Sequence, residues 1–160
     1  MSILLPKTPY GFTTFFDDLR QEANGKYIFS GVYTGSMLLP MVPAVLPTFS
    51  VMITYREAPG ESNEPVTLKI FVPGSHEPML AAPLPVEQMR QAQYDQSYLD
   101  VEGLDKILSL QAPFVFSPFM IAGEGFIKIR AYRADDEIRL GTLRVQLATG
   151  PAVSDPPPST

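Results

Sequence analysis

The chain has 160 residues and a formal net charge of −5, from seventeen acids against twelve bases, with seventeen prolines, one histidine and no cysteine. That length suits one domain, since single cores usually close at about 100–200 residues. The missing cysteine excludes a disulfide framework, thiolate metal sites and thiol catalysis; the lone His76 excludes a multi-His metal centre within one chain, and the negative balance argues against a general grip on nucleic acid.

Met1–Lys7 has an apolar Ile3–Leu5 without a charged leader or a long apolar run, so neither a secretory leader nor a membrane span is expected. Prolines recur from Pro6 to Pro158, and each is costly inside a helix or a central strand. Long helices are therefore not expected. The first strands read as Phe12–Asp17 and Lys26–Tyr33, with Asn24-Gly25 as a turn dipeptide between them. Asp17-Asp18-Leu19-Arg20 reads as a strand exit, a turn or single helical turn in which an aspartate caps backbone amides and Arg20 pairs with a neighbouring acid.

Leu38–Pro47, with Pro40, Pro43 and Pro47, reads as an extended crossover lying on the core. In Phe49–Arg56, Phe49, Val51, Ile53 and Tyr55 alternate with Ser50, Met52, Thr54 and Arg56, the pattern of a half-buried strand. Val66–Val72 repeats it, with Phe71 as the outward apolar exception, and Glu57–Glu64 between the two reads as an exposed hairpin loop. Val86–Tyr94, after Pro83 and Pro85, is the one helix expected. Leu104–Phe119, broken by Pro113 and Pro118, reads as two short strands or one strand leaving a sheet edge.

The clearest hairpin lies in the last third. Ile127, Ile129 and Ala131 alternate with Lys128, Arg130 and Tyr132, the residues Ala134–Glu137 turn, and a return strand runs Ile138–Leu147. Ile138 and Leu140 share one parity, while Leu143, Val145 and Leu147 share the other, so a bulge is expected at Gly141-Thr142. Beyond residue 148 the composition becomes Pro-rich, which predicts an extended tail over 149–160.

Four constellations carry candidate chemistry. Asp17 and Asp18 with Glu22 are the densest carboxylates, and Asp135 and Asp136 with Glu137 form a second acidic turn. Calcium takes about six to eight oxygens from more than one loop, so these four aspartates are metal candidates only if the two turns share an end of the fold. Ser75, His76 and Glu77 carry the elements of a nucleophile set at a spacing that does not let them converge. Lys128, Arg130, Arg133, Arg139 and Arg144 gather on one hairpin, and Lys128, Arg130 and Tyr132 form a basic-aromatic ribbon suited to an acidic partner, with nucleic acid disfavoured by the net charge. Phe71, Met52, Phe114, Phe116, Phe119 and Met120 exceed what one inner face needs, which points to an interface.

The run Thr14–Glu22, followed by Gly25-Lys26, Gly31-Val32-Tyr33 and Pro43–Pro47, resembles a family of small bacterial and phage-encoded proteins of unassigned function. The resemblance is concentrated in the first fifty residues, and Leu140-Gly141-Thr142-Leu143 is compatible with it. It implies a sandwich of C2-like or immunoglobulin-like architecture, and it transfers no catalytic residue.

Together these readings predict an all-β protein: one antiparallel sandwich of about seven or eight strands over residues 1–148, one short helix and a Pro-rich tail. The expected function is that of a non-enzymatic interaction protein without a cofactor, made in the cytoplasm, a subunit of an assembly such as a phage particle. Its protein partners are expected at Lys128, Arg130 and Tyr132 and at the tail residues Pro156, Pro157 and Pro158. A cytosolic C2-like module binding a ligand or calcium is the alternative, and a carboxylate hydrolase using Asp17 and Asp18 ranks last.

Overall fold

The computed structural model describes residues 7–92 and 107–149. The described residues form eleven strands and one helix: β1 (Tyr10–Gln21), β2 (Tyr27–Tyr33), β3 (Ser36–Leu39), β4 (Ala44–Leu46), β5 (Phe49–Glu57), β6 (Val66–Phe71), β7 (Leu80–Leu84), α1 (Val86–Ala92), β8 (Leu108–Phe116), β9 (Phe119–Ile121), β10 (Gly125–Arg133) and β11 (Asp136–Leu147). A four-stranded sheet in the order β2-β1-β5-β8 faces a five-stranded sheet in the order β3-β11-β10-β6-β7, and β4 pairs with β9 as a small separate ribbon. The fold is thus an all-β sandwich, as the alternation and the prolines dictate.

Its core lies between the two inner faces. Phe15 of β1 and Phe49, Val51, Ile53 and Tyr55 of β5 meet Leu68 and Ile70 of β6, Ile127 and Ile129 of β10, and Leu140, Leu143 and Val145 of β11. These are the inward positions of the period-two pattern, and their removal from water is the main stabilising term. The sheets come closest at two glycines. A Cβ on Gly11 would overlap the Thr54 carbonyl and the Leu140 side chain, and one on Gly141 would lie 2.9 Å from Thr13 Cβ.

The expected bulge is present one residue early. Ile129 pairs with Gly141 and Arg130 with Arg139, so Leu140 is the extra residue, which lets Ile138 and Leu140 point inward before the bulge and Leu143 and Val145 after it. Pro113 sits in β8, at the edge of its sheet, where a strand can do without one donor.

Four expectations need correction. β5 and β6 are not a hairpin: they lie in different sheets, so residues 58–65 cross the sandwich. The outward positions of β5 are not solvent-facing, since Ser50, Met52 and Thr54 are all buried. β1 does not exit at Asp17-Asp18 but pairs with β2 as far as Gln21↔Tyr27. The crossover over 38–47 contains two short strands, and one of them, β3, runs parallel to β11, which breaks the purely antiparallel pattern and lifts the strand count. The helix is real but shorter, Val86–Ala92, and residues 93 and 94 lie outside the described residues. The tail over 150–160, with Pro156, Pro157 and Pro158, also lies outside them.

Candidate interaction surfaces

The acidic candidates are separated by the length of the sandwich. β1 pairs with β5 from Tyr10↔Arg56 to Phe16↔Ser50, which puts Asp17 and Asp18 beyond the Phe49 end. Asp135 and Asp136 follow Arg133, whose guanidinium lies 3.6 Å from Glu57, at the other end of β5. The nine residues of β5 span roughly 26 Å at about 3.3 Å per step, so the two turns cannot share an ion. Among the described residues, no group of three or more His, Asp or Glu side chains is placed to hold a metal.

Asp17 and Asp18 do not converge with each other either, because neighbouring residues of a continuing strand face opposite ways. Asp17 accepts a hydrogen bond from the Tyr33 hydroxyl, and its carboxylate fills the space beside Gly31, where a Cβ would collide with it and where the φ of +68° also favours glycine. Burial, then the bond to Asp17, raises the Tyr33 phenol above its ordinary value. Asp18 instead pairs with Arg20 at 3.3 Å, the local ion pair expected of that turn, formed on a strand. In the 73–78 loop, Ser75 Oγ donates to the Glu77 carbonyl at 2.9 Å, so the hydroxyl closes the loop rather than meeting His76.

The basic-aromatic ribbon, whose cations the sequence equally allows to pair across the hairpin with Asp135–Glu137, does so in part, at Glu137, and has a definite shape. It forms one wall of a groove of about 560 Å³ on the outer face of the five-stranded sheet; the loop carrying His76 forms the other, with Phe71 and Phe126 between them. That loop is seated by Pro73, which is buried, and Gly125 lies so close that a Cβ there would be 3.2 Å from the proline ring. Within the ribbon the cations divide into two kinds. Arg130 Nη1 donates to the carbonyls of Ile129 at 2.8 Å and Gly141 at 3.0 Å, and Arg130 also lies 3.5 Å from Glu137. It therefore clamps the bulge. Tyr132 donates to Glu137 at 3.2 Å, Lys69 lies over its ring at 4.8 Å, and burial followed by the nearby carboxylate raises its phenol. Lys128 and Arg139, by contrast, are exposed on the rim.

The second surface was not legible as a site in the sequence. Among the described residues β2 is an unpaired edge of the four-stranded sheet, and every residue from Tyr27 to Val32 is exposed. It contains neither proline nor charge over Tyr27–Tyr33. Natural edge strands are usually blunted by lysine, proline or brevity, because their unpaired N–H and C=O groups template pairing with another chain. On this edge strand Ile28 and Val32 are exposed and Phe29 stacks on the buried Phe16 of β1 at 4.4 Å. Further exposed apolar groups of the same sheet, Phe12 and Val115, lie away from it, before the β2 pairing on β1 and on β8 at the opposite edge. The apolar surplus expected at Met52 and Phe119 is buried, Phe114 and Phe116 pack against the core, Phe71 lines the groove, and only Met120 is well exposed, at 69%. The signal that would have pointed to β2 is the uncharged run Tyr-Ile-Phe-Ser-Gly-Val-Tyr at a strand following a turn.

None of the helices described is long and apolar enough to cross a membrane. No protein-family model, curated protein or solved structure matches the chain.

Proposed function

We propose that this protein is a non-enzymatic subunit of a protein assembly, joined to its neighbours by strand pairing along β2 and by the apolar side chains that this strand exposes. One observation carries the reading: an edge strand of seven residues, exposed from Tyr27 to Val32, without charge or proline. Such an edge is an aggregation hazard in a protein that works alone and an interface in one that does not. The resemblance to bacterial and phage-encoded proteins makes a phage particle one assembly of this kind. The scattering of candidate catalytic groups supports a binding role, since Asp17, Asp18, Asp135, Asp136 and His76 each lie in separate, locally satisfied or solvated settings.

The test is solution mass by light scattering during size-exclusion chromatography, over about 1 µM to about 1 mM, the span in which a weak to moderate dimer dissociates. The full chain is expected to self-associate, and Ile28→Lys on the β2 edge is expected to return it to a monomer with unchanged circular dichroism. A full chain that is monomeric throughout, or an oligomer indifferent to Ile28→Lys, overturns the proposal. A chain ending at Leu147 reads the contribution of the Pro-rich tail separately.

A further inference from the structure

The groove on the opposite sheet is not needed for strand pairing through β2, and its chemistry is different. Its rim carries Lys128 and Arg139 as exposed cations, with His76 on the facing loop, and its apolar surface comes from Phe71, Phe126 and Tyr132. Its volume falls within the range of ligand sites, about 300–1,000 Å³.

We propose that this groove binds a short acidic peptide segment of a partner protein, with its carboxylates on Lys128 and Arg139 and an apolar side chain between Phe71 and Phe126. Charge complementarity carries the argument. In a chain of net charge −5, the groove is lined by Lys128, Arg130 and Arg139 against the single carboxylate of Glu137, with Lys69 over the Tyr132 ring. Arg130 is committed to the carbonyls of the bulge and to Glu137, so among the described residues Lys128 and Arg139 are the exposed cations of the groove that can take a ligand. Arg139 lies 3.7 Å from Glu137 and is 82% exposed, so exchanging that weak contact for a peptide carboxylate costs little. A peptide fits better than a nucleic-acid strand for two reasons. The Glu137 carboxylate stands in the groove wall beside Arg139 and would repel a continuing phosphate backbone. The groove is also short, which suits a few residues rather than a long anionic polymer.

The experiment is fluorescence anisotropy of the full chain with two probes: a labelled Glu-Glu-Phe-Glu-Glu peptide and a labelled oligothymidylate. The peptide is expected to bind, to weaken as salt rises, and to lose at least about tenfold in affinity with Lys128→Glu combined with Arg139→Glu, as opposed charges at an interface do when reversed. Lys26→Glu, at the distant β1–β2 turn, is the control and is expected to leave binding unchanged. No binding of the peptide, binding indifferent to the double reversal, or tighter binding of the oligothymidylate each overturns the proposal. Ile28→Lys keeps the peptide affinity of the full chain, so failure of this site and failure of strand pairing are read independently.

Discussion

The two ends of β5 are held by opposite kinds of physics. At its start, Phe49 is fully buried and its ring lies 4.5 Å from that of Phe119, with Tyr33 at 6.2 Å and Phe15 at 6.3 Å, an aromatic cluster that needs shape and no charge. At its end, Glu57 is 1% exposed and takes Arg90 Nε at 2.6 Å, Arg90 Nη2 at 3.1 Å and the Tyr55 hydroxyl at 2.9 Å. Arg90 also donates to the Glu64 carbonyl, and Arg133 reaches Glu61 at 3.3 Å, so helix α1, strand β10 and the 58–65 crossover are all tied to this carboxylate. The contrast teaches where the sandwich is closed by packing and where by a connector. The aromatic end belongs to the sheets themselves, whereas the ionic end fastens segments that have too little apolar surface to hold on their own.

The comparison can be broken at its larger end first. Phe49→Ala is expected to cost about 3–5 kcal/mol, the range for a buried phenylalanine, with a loss that is the same at low and high salt. Urea unfolding at two ionic strengths checks it, and a salt-dependent loss would mean that the aromatic end is not purely packed. Glu57→Gln is expected to cost about 3 kcal/mol, because it leaves the part-buried Arg90 without its carboxylate and takes from Arg133 one of the two it faces. Replacing Glu57 and Arg90 together by methionine is expected to recover most of that loss, since an apolar pair of similar volume is often as stable as a buried ion pair. If the double variant is as weak as the single one, the network does more than offset its own desolvation.

The smallest effect is expected from acid. Burial pushes the Glu61 carboxyl up, but the Ala58 amide, the Thr8 hydroxyl and Arg133 together outweigh it and hold the group below its ordinary value. A carboxylate held low in the folded state stabilises the fold above its unfolded pKa, about 4.3, and that contribution fades as pH falls through the lower folded value. Unfolding free energy measured between pH 6 and pH 3, as an approximate window around that value, is expected to fall less in Glu61→Gln than in the natural chain.

Much of the fold was readable because alternation and proline act locally. Phe49–Arg56, Val66–Val72 and the closing hairpin carry their period in their own residues, and the parity change around Leu140 announced the bulge. What escaped was long-range. Nothing in Glu57–Glu64 distinguishes a hairpin loop from a crossing between sheets, because that choice rests on Glu57 and Glu61 meeting Arg90 and Arg133, far along the chain. The continuation of β1 past Asp17 depends on a partner strand and on Gly31 yielding space to the Asp17 carboxylate. For the sites, Lys128, Arg130 and Tyr132 were visible as a ribbon, but the His76 wall that turns the ribbon into a groove, and the fixed role of Arg130, appear only when the loop packs through Pro73.

The close approach at Gly11 has a consequence for the order in which the molecule assembles itself. Gly11 touches Leu140, a residue of the last strand, and β11 lies inside its sheet between β3 and β10 rather than at the margin. During synthesis the first strand must therefore wait for almost the whole described chain to emerge before its permanent neighbour exists. Contacts of such long sequence separation make folding slow, in the millisecond-to-second range typical of sandwiches. Until β11 arrives, the inner face of β1 lacks the strand that covers it, and the first encounter partner that a nascent chain offers it is another nascent chain.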